Sequence, residues 1–297
     1  MNQKLTLDIS NINKLIGKKH ILNNISLRCE SGKIFGLVGP NGCGKSSLFK
    51  VLSTLWNPTS GSIKINDLCL HKNKETLLPK IGAFIEMPNI YNDLSGKENL
   101  NILLKLYGIR NKDWYEFLLQ EFDISNFMDK KVKTYSLGMR QKIGLIASLI
   151  NNPDIVFLDE PTNSLDINTV HSVHNIINIL KQNNKLVIVS SHILEELDSL
   201  VDKTFIMKSG RLIDTYAKHK DTSTYIEFNN KINLSELSLI LDNIPFKEID
   251  DFTIEINNKD INYVLKLLTQ SDYTIKNISS NNDNLKSKFN ELMEEQI

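Results

Sequence analysis

The chain has 297 residues, 41% hydrophobic and 24% charged, enough to bury a sizeable core in one large domain or two unequal ones. Its 35 basic residues balance 35 acidic ones, which excludes bulk charge as a means of wrapping nucleic acid or gripping a membrane surface. The longest apolar runs, such as Ile143 to Ile150, fall short of the roughly 20 residues a bilayer span needs. The first residues, MNQKLTLDIS, lack the apolar region of a secretory signal, so a cytosolic chain without a transmembrane helix is expected. Cys29, Cys43 and Cys69 lack CxxC spacing, which fits reduced thiols.

In chain order, Leu5 to Ile9 and Ile25 to Cys29 read as strands, and Ile34 to Val38 is an apolar run of the kind buried on both faces of a parallel sheet. GPNGCGKSS, Gly39 to Ser47, follows and matches G-x-x-x-x-G-K-[ST]. Glycines let backbone N–H groups curl around phosphates, and a helix beginning near Lys45 aims the positive end of its dipole at them. Gly39, Asn41, Gly42, Gly44, Lys45, Ser46 and Ser47 are therefore the candidate nucleotide contacts, with Lys45 on the β- and γ-phosphates and Ser46 on Mg²⁺.

After the turn Pro58 to Gly61, SIKIN and then IGAFIE read as strands. Ser95 to Glu98 has the S-x-x-E form of a capping box and opens a helix, ENLNILLKLYGI, with apolar residues every three or four positions. The stretch from about Pro88 to Ile150 is expected to be mostly helical, an insertion bracketed by the sheet. IVFLDEP, Ile155 to Pro161, then supplies a buried strand with Asp159 placed for the metal and Glu160 placed to orient and deprotonate an attacking water. A helix with Val170, Val173, Ile176, Ile177 and Leu180 on one face leads to KLVIVSS, the alternation of a parallel α/β sheet. From about Ala217 the pattern changes to short polar elements, a small α+β appendage below the size at which a core alone is comfortable.

YSLGMRQ, Tyr135 to Gln141, resembles the LSGGQ signature of the ABC ATPase family; Ser136 and Gly138 are kept, while Leu137 and Met139 depart from the usual glycine and glutamine. NSLD, Asn163 to Asp166, is similar to the family's D-loop, and His192 stands where its switch histidine stands. The resemblance covers about residues 3 to 215. It implies an α/β ABC ATPase (P-loop) core with a mixed sheet and an inserted helical subdomain (about 88–150) over residues 1–216, with a C-terminal α+β region over 217–297. It also implies ATP and Mg²⁺ as cofactors, a second copy of the chain across the ATP seam, and Ser136, Gly138 and Asp166 acting at that seam. Ile16 falls where the family places an adenine-stacking aromatic, so an aliphatic contact with the base and weaker nucleotide affinity are expected.

Glu86 occupies the place of the family's Q-loop glutamine, which touches Mg²⁺ and the attacking water. A carboxylate still ligands Mg²⁺ but loses the amide donor. Two unit charges about 4 Å apart at an effective dielectric of 20 interact by roughly 4 kcal/mol, so Mg²⁺ or partial protonation is expected to offset repulsion from the γ-phosphate. With IEMP-x-IY-x-x-LS-x-x-ENL and YSLGMRQ, this glutamate resembles the ATP-binding subunits of bacitracin-type and lantibiotic-immunity exporters. That likeness implies separate transmembrane permease subunits, a peptide antibiotic as cargo, and a place on the inner face of the cell membrane through the permease. The alternatives are export of another drug or lipid-like substrate, or a soluble ABC switch protein without a permease. The short span between phosphate loop and signature and the single set of motifs speak against the second.

Overall fold

The computed structural model describes residues 4–86, 90–217, 223–241, 244–271, 273–280 and 285–294. Met87, Pro88 and Asn89 of the IEMP motif, and with them the expected start of the helical subdomain at Pro88, lie outside the described residues. The chain divides into two compact units, Met1–Ala217 and Lys218–Ile297.

In the first unit, β1 (Thr6–Ile16) buries Leu7, Ile9 and Ile12, and β2 (Lys19–Glu30) pairs back on it antiparallel. β3 (Lys33–Val38) is buried after its first residue and feeds α1 (Lys45–Leu52) through the glycine loop. β4 (Ser60–Ile65) and β5 (Leu68–Cys69) complete an antiparallel sheet of order β2-β1-β4-β5. A short helix, α2 (Lys74–Leu77), precedes β6 (Ile81–Phe84), after which come the inserted helices α3 (Gly96–Leu106), α4 (Asp113–Glu121) and α5 (Leu137–Leu149). β7 (Ile155–Leu158), α6 (Ile167–Gln182), β8 (Leu186–Ser190), α7 (Leu194–Leu200), β9 (Lys203–Lys208) and β10 (Arg211–Ala217) follow. The second sheet has the order β10-β9-β3-β8-β7-β6, parallel throughout except for the antiparallel edge strand β10. Phosphate-binding loops belong at the carboxyl ends of such strands, and the glycine loop and Asp159 both follow strands that end there.

Several local expectations are met with small physical corrections. The capping box at Ser95 is complete: its Oγ accepts from Glu98 N–H at 3.2 Å, and Glu98 Oε2 accepts from Ser95 N–H at 2.7 Å. The helix it opens stops at Leu106 rather than running on to Ile109, because Gly108 takes φ 61° and lets Ile109 N–H return to Leu104 O at 2.9 Å. β6 ends two residues before Glu86, whose φ of 55° is incompatible with a continuing strand. On α6 the fully buried residues are Thr169, Val173, Ile176, Ile177 and Leu180; Val170 is half-buried, displaced by Thr169, whose hydroxyl is taken by the helix cap. The core of this unit joins both sheets through residues such as Leu7, Ile25, Phe49 and Phe157.

The second unit contains β11 (Ser223–Phe228), α8 (Leu234–Ile240), β12 (Phe246–Asp250), β13 (Thr253–Asn257), α9 (Ile261–Leu268), β14 (Ile275–Ser280) and α10 (Leu285–Glu294). Its antiparallel sheet has the order β12-β13-β11-β14. Ile226, Phe228, Leu237, Ile254, Val264 and Leu268 form a core of its own. Among the described residues no helix is long and apolar enough to cross a membrane.

Candidate active site

Gly44 caps α1 at φ 113°, a conformation that side chains rarely tolerate, so the first helical N–H groups face the loop instead of a capping side chain. At Gly39 the limit is space: a Cβ would meet Met207 O at 2.4 Å and Cys43 Sγ at 2.5 Å. Lys45 is buried, and its ammonium donates to Gly39 O at 2.7 Å across the loop. Asn41 and Gly42 are exposed at the loop's tip, and Ser46 and Ser47 are half-buried. Burial pushes the Cys43 thiol up, opposed by the nearby Lys45 charge.

β7 delivers Asp159 and Glu160 to the same end of the sheet. Asp159 N–H still bonds to Phe84 O at 2.8 Å, which extends the pairing with β6 by one step and fixes the buried carboxylate. Ser190, at the end of β8 and fully buried, joins the two acids: its Oγ donates to Asp159 Oδ1 at 2.7 Å and accepts from Glu160 N–H at 2.9 Å. Glu160 turns away at φ 48°. Its Oε2 accepts from Asn163 Nδ2 at 2.5 Å and lies 3.0 Å from His192 Nδ1. The switch-like histidine and the acid that follows Asp159 are thus one hydrogen-bonded group.

One hollow is lined by Ser46, Phe84, Glu86, Leu137, Gln141, Asp159, Glu160, Asn163 and Ser164. Four of the expected site residues, Ser46, Glu86, Asp159 and Glu160, are therefore together, with His192 bonded to the last. Ile16, half exposed at the end of β1, and Ser136 and Gly138 do not line it. Ser136 caps α5, its Oγ accepting from Met139 N–H at 3.3 Å, and Asp166 caps α6 through Thr169 N–H at 3.0 Å and the Thr169 hydroxyl at 2.7 Å. Those two bonds, the hydroxyl's first, hold the Asp166 carboxyl below its usual range.

Glu86 has a counter-charge that sequence reasoning did not foresee. Lys50 Nζ lies 2.6 Å from Glu86 Oε1, so a lysine of α1, in addition to metal or proton, answers the extra carboxylate. Lys50, Ser190, Asn163 and Gln141 were all missed as site residues. The only local signal was the motif context of the last three, and Lys50 had none. Gln141 is buried, and its Oε1 has no hydrogen-bond partner among the described residues.

Among the described residues no group of three or more His, Cys, Asp or Glu side chains forms a metal cage. Mg²⁺ in nucleotide sites is instead held by one or two carboxylates, a hydroxyl and the phosphates themselves. Ser46, Asp159 and Glu86 around one hollow fit that donor set.

A parallel sheet ending in a phosphate loop, with a paired acid and histidine beside it, defines a nucleotide-hydrolysing cassette. The chain belongs to the ABC transporter ATP-binding family, and it is an ATPase of that class. The family's "ABC transporter" model matches residues 22–163. The lantibiotic transport ATP-binding protein SrtF of Streptococcus pyogenes is 37% identical over 228 residues, 76% of this chain and 97% of that one. The bacitracin transport ATP-binding protein BcrA of Enterococcus faecalis is 30% identical over 302 residues, 99% of this chain and 98% of that one. Among solved structures, the dimeric post-hydrolysis state of the ATP-binding cassette MJ0796 bound to ADP and Pi matches with a TM-score of 0.65 at 22% identity, covering 71% of this chain and 98% of that one.

Proposed function

We propose that this chain powers a membrane exporter that removes a peptide antibiotic, with self-protection against a lantibiotic as its role. The observation that carries the chemistry is the bonded set Asp159, Ser190, Glu160 and His192 at the mouth of the phosphate loop. The likeness to a lantibiotic transport protein, together with Glu86, supports the cargo.

In this reading the loop N–H groups from Gly39 to Ser47 and the N-terminus of α1 take the β- and γ-phosphates, and Lys45 exchanges its bond to Gly39 O for phosphate oxygen. Ser46, Asp159 and Glu86 hold Mg²⁺, which neutralises charge on the phosphates. Glu160 orients the attacking water and accepts its proton as the oxygen bonds to the γ-phosphorus and ADP leaves. Asn163 and His192 keep the Glu160 carboxylate aimed, and His192 senses the γ-phosphate. Ser136, Gly138 and Asp166 act from a second copy of the chain across the ATP, Ile16 packs on the adenine, and separate permease subunits place the protein on the inner face of the membrane. The second unit, residues 217–297 in the sequence reading, is an accessory region that follows the ATPase domain of 1–216 in the chain.

The test is survival of cells carrying the permease and either wild-type or Glu160→Gln protein against a panel of lantibiotics and bacitracin. Protection against a lantibiotic by wild type alone is the expected result. ATP turnover without protection against any peptide would overturn the cargo.

A further inference from the structure

Lys50 lies four residues beyond Ser46 on α1, one turn along the same face. Its place is fixed from two sides. The ammonium sits 4.9 Å from the centre of the Trp56 ring, and Trp56 N–H donates to Lys50 O at 2.9 Å. The lysine side chain is only 20% exposed, whereas that of Glu86 is 60% exposed, so the acid comes to a pre-placed cation. Glu86 in turn is held at φ 55° at the rim of the hollow that also contains Ser46 and Asp159.

We propose that Lys50 is a positioning residue for Glu86: it draws the carboxylate onto α1 and neutralises it, so that a nucleotide polyphosphate enters beside an ion pair instead of a bare negative charge. A glutamine at position 86 needs no such partner; a glutamate does. The pair also sets a competition, because the carboxylate is shared between the lysine and the metal that arrives with ATP. This inference rests on the reading that Glu86 belongs to the metal and phosphate site.

The test is equilibrium binding of a fluorescent, non-hydrolysable ATP analogue, in EDTA and in Mg²⁺, to wild type, K50M, K50R, E86Q and the K50M/E86Q double variant. Methionine keeps the unbranched stem over Trp56, and thermal unfolding checks that each variant folds. Lys50→Met is expected to weaken binding in EDTA by about fivefold, the scale of one partly exposed ion pair, with a smaller loss in Mg²⁺. Lys50→Arg is expected to restore it. In the E86Q background the same lysine change should have less than half that effect, because no carboxylate is left to be released. An equal loss in both backgrounds would make Lys50 a simple attractive charge and overturn the proposal. If E86Q leaves the Mg²⁺ dependence of binding unchanged, Glu86 is outside the metal site, and the underlying reading of that residue fails with it.

Discussion

Glu86, Glu160 and Ser164 line the same hollow and all hold positive φ, at 55, 48 and 61°. None is a glycine, so each carries strain on the order of 1–3 kcal/mol that the surrounding hydrogen bonds must offset. For Glu160 those bonds come from Ser190, Asn163 and His192. Ser190→Ala removes the group that joins both acids and leaves buried Asp159 with one donor fewer. It is expected to destabilise the protein by about 1–3 kcal/mol in denaturant unfolding and to lower kcat more than it raises KM. The grouping of Ser46, Asp159 and Glu160 was legible in the sequence because each lies in a short motif whose spacing is local. Ser190 and Lys50 were not, because each meets its acid from 31 and 36 residues away, and only the fold closes that gap. The extra charge of Glu86 was legible as a problem; its counter-ion was not.

At the scale of elements, a capped helix start was easier to read than the helix's end. The Ser95 box depends on four consecutive residues and was visible at once, whereas the stop at Leu106 depends on Gly108 adopting a left-handed turn, which composition does not announce. Asp166, which ends the D-loop-like segment and is proposed for the seam between two copies, is also the cap of α6. Asp166→Ala is expected to lower stability by about 1 kcal/mol near neutral pH. The hydrogen bonds from Thr169 lower the folded-state pKa of this carboxyl, so its contribution is present above the ordinary value of 3.8 and is lost as pH falls through the lower folded value. The gap between wild type and D166A in thermal unfolding should therefore close below pH 3.8. A gap that widened in acid would show that the cap acts through its neutral form. A further tie spans this end of the sheet: Glu196 on α7 lies 2.7 Å from His174 Nε2 on α6 and accepts from Thr162 at 3.5 Å, bracing the segments that carry Asp166 and His192.

At the scale of the molecule, the alternation of apolar strands and amphipathic helices was enough to read a parallel α/β core with a helical insertion, and the ABC ATPase fold is what forms. The antiparallel sheet β2-β1-β4-β5 was less legible, since β1 and β2 contain irregular pairing around Ile9 to Leu15 and read as shorter strands than they are. In the second unit the sequence showed short polar elements and a size below that at which a core alone is comfortable. A core forms nonetheless, because Ile226, Ile254 and Ile256 come from alternate positions of paired strands and meet on one face.

The central claim is that Glu160 is the base of an ATPase built on this sheet end, and single-turnover ATP hydrolysis by purified wild-type and Glu160→Gln protein tests it most directly. The account predicts that the variant binds ATP with nearly unchanged affinity while hydrolysis falls by at least about a hundredfold. Hydrolysis within a few-fold of wild type, with binding equally intact, would contradict it and move the positioning of the water to another residue of the hollow.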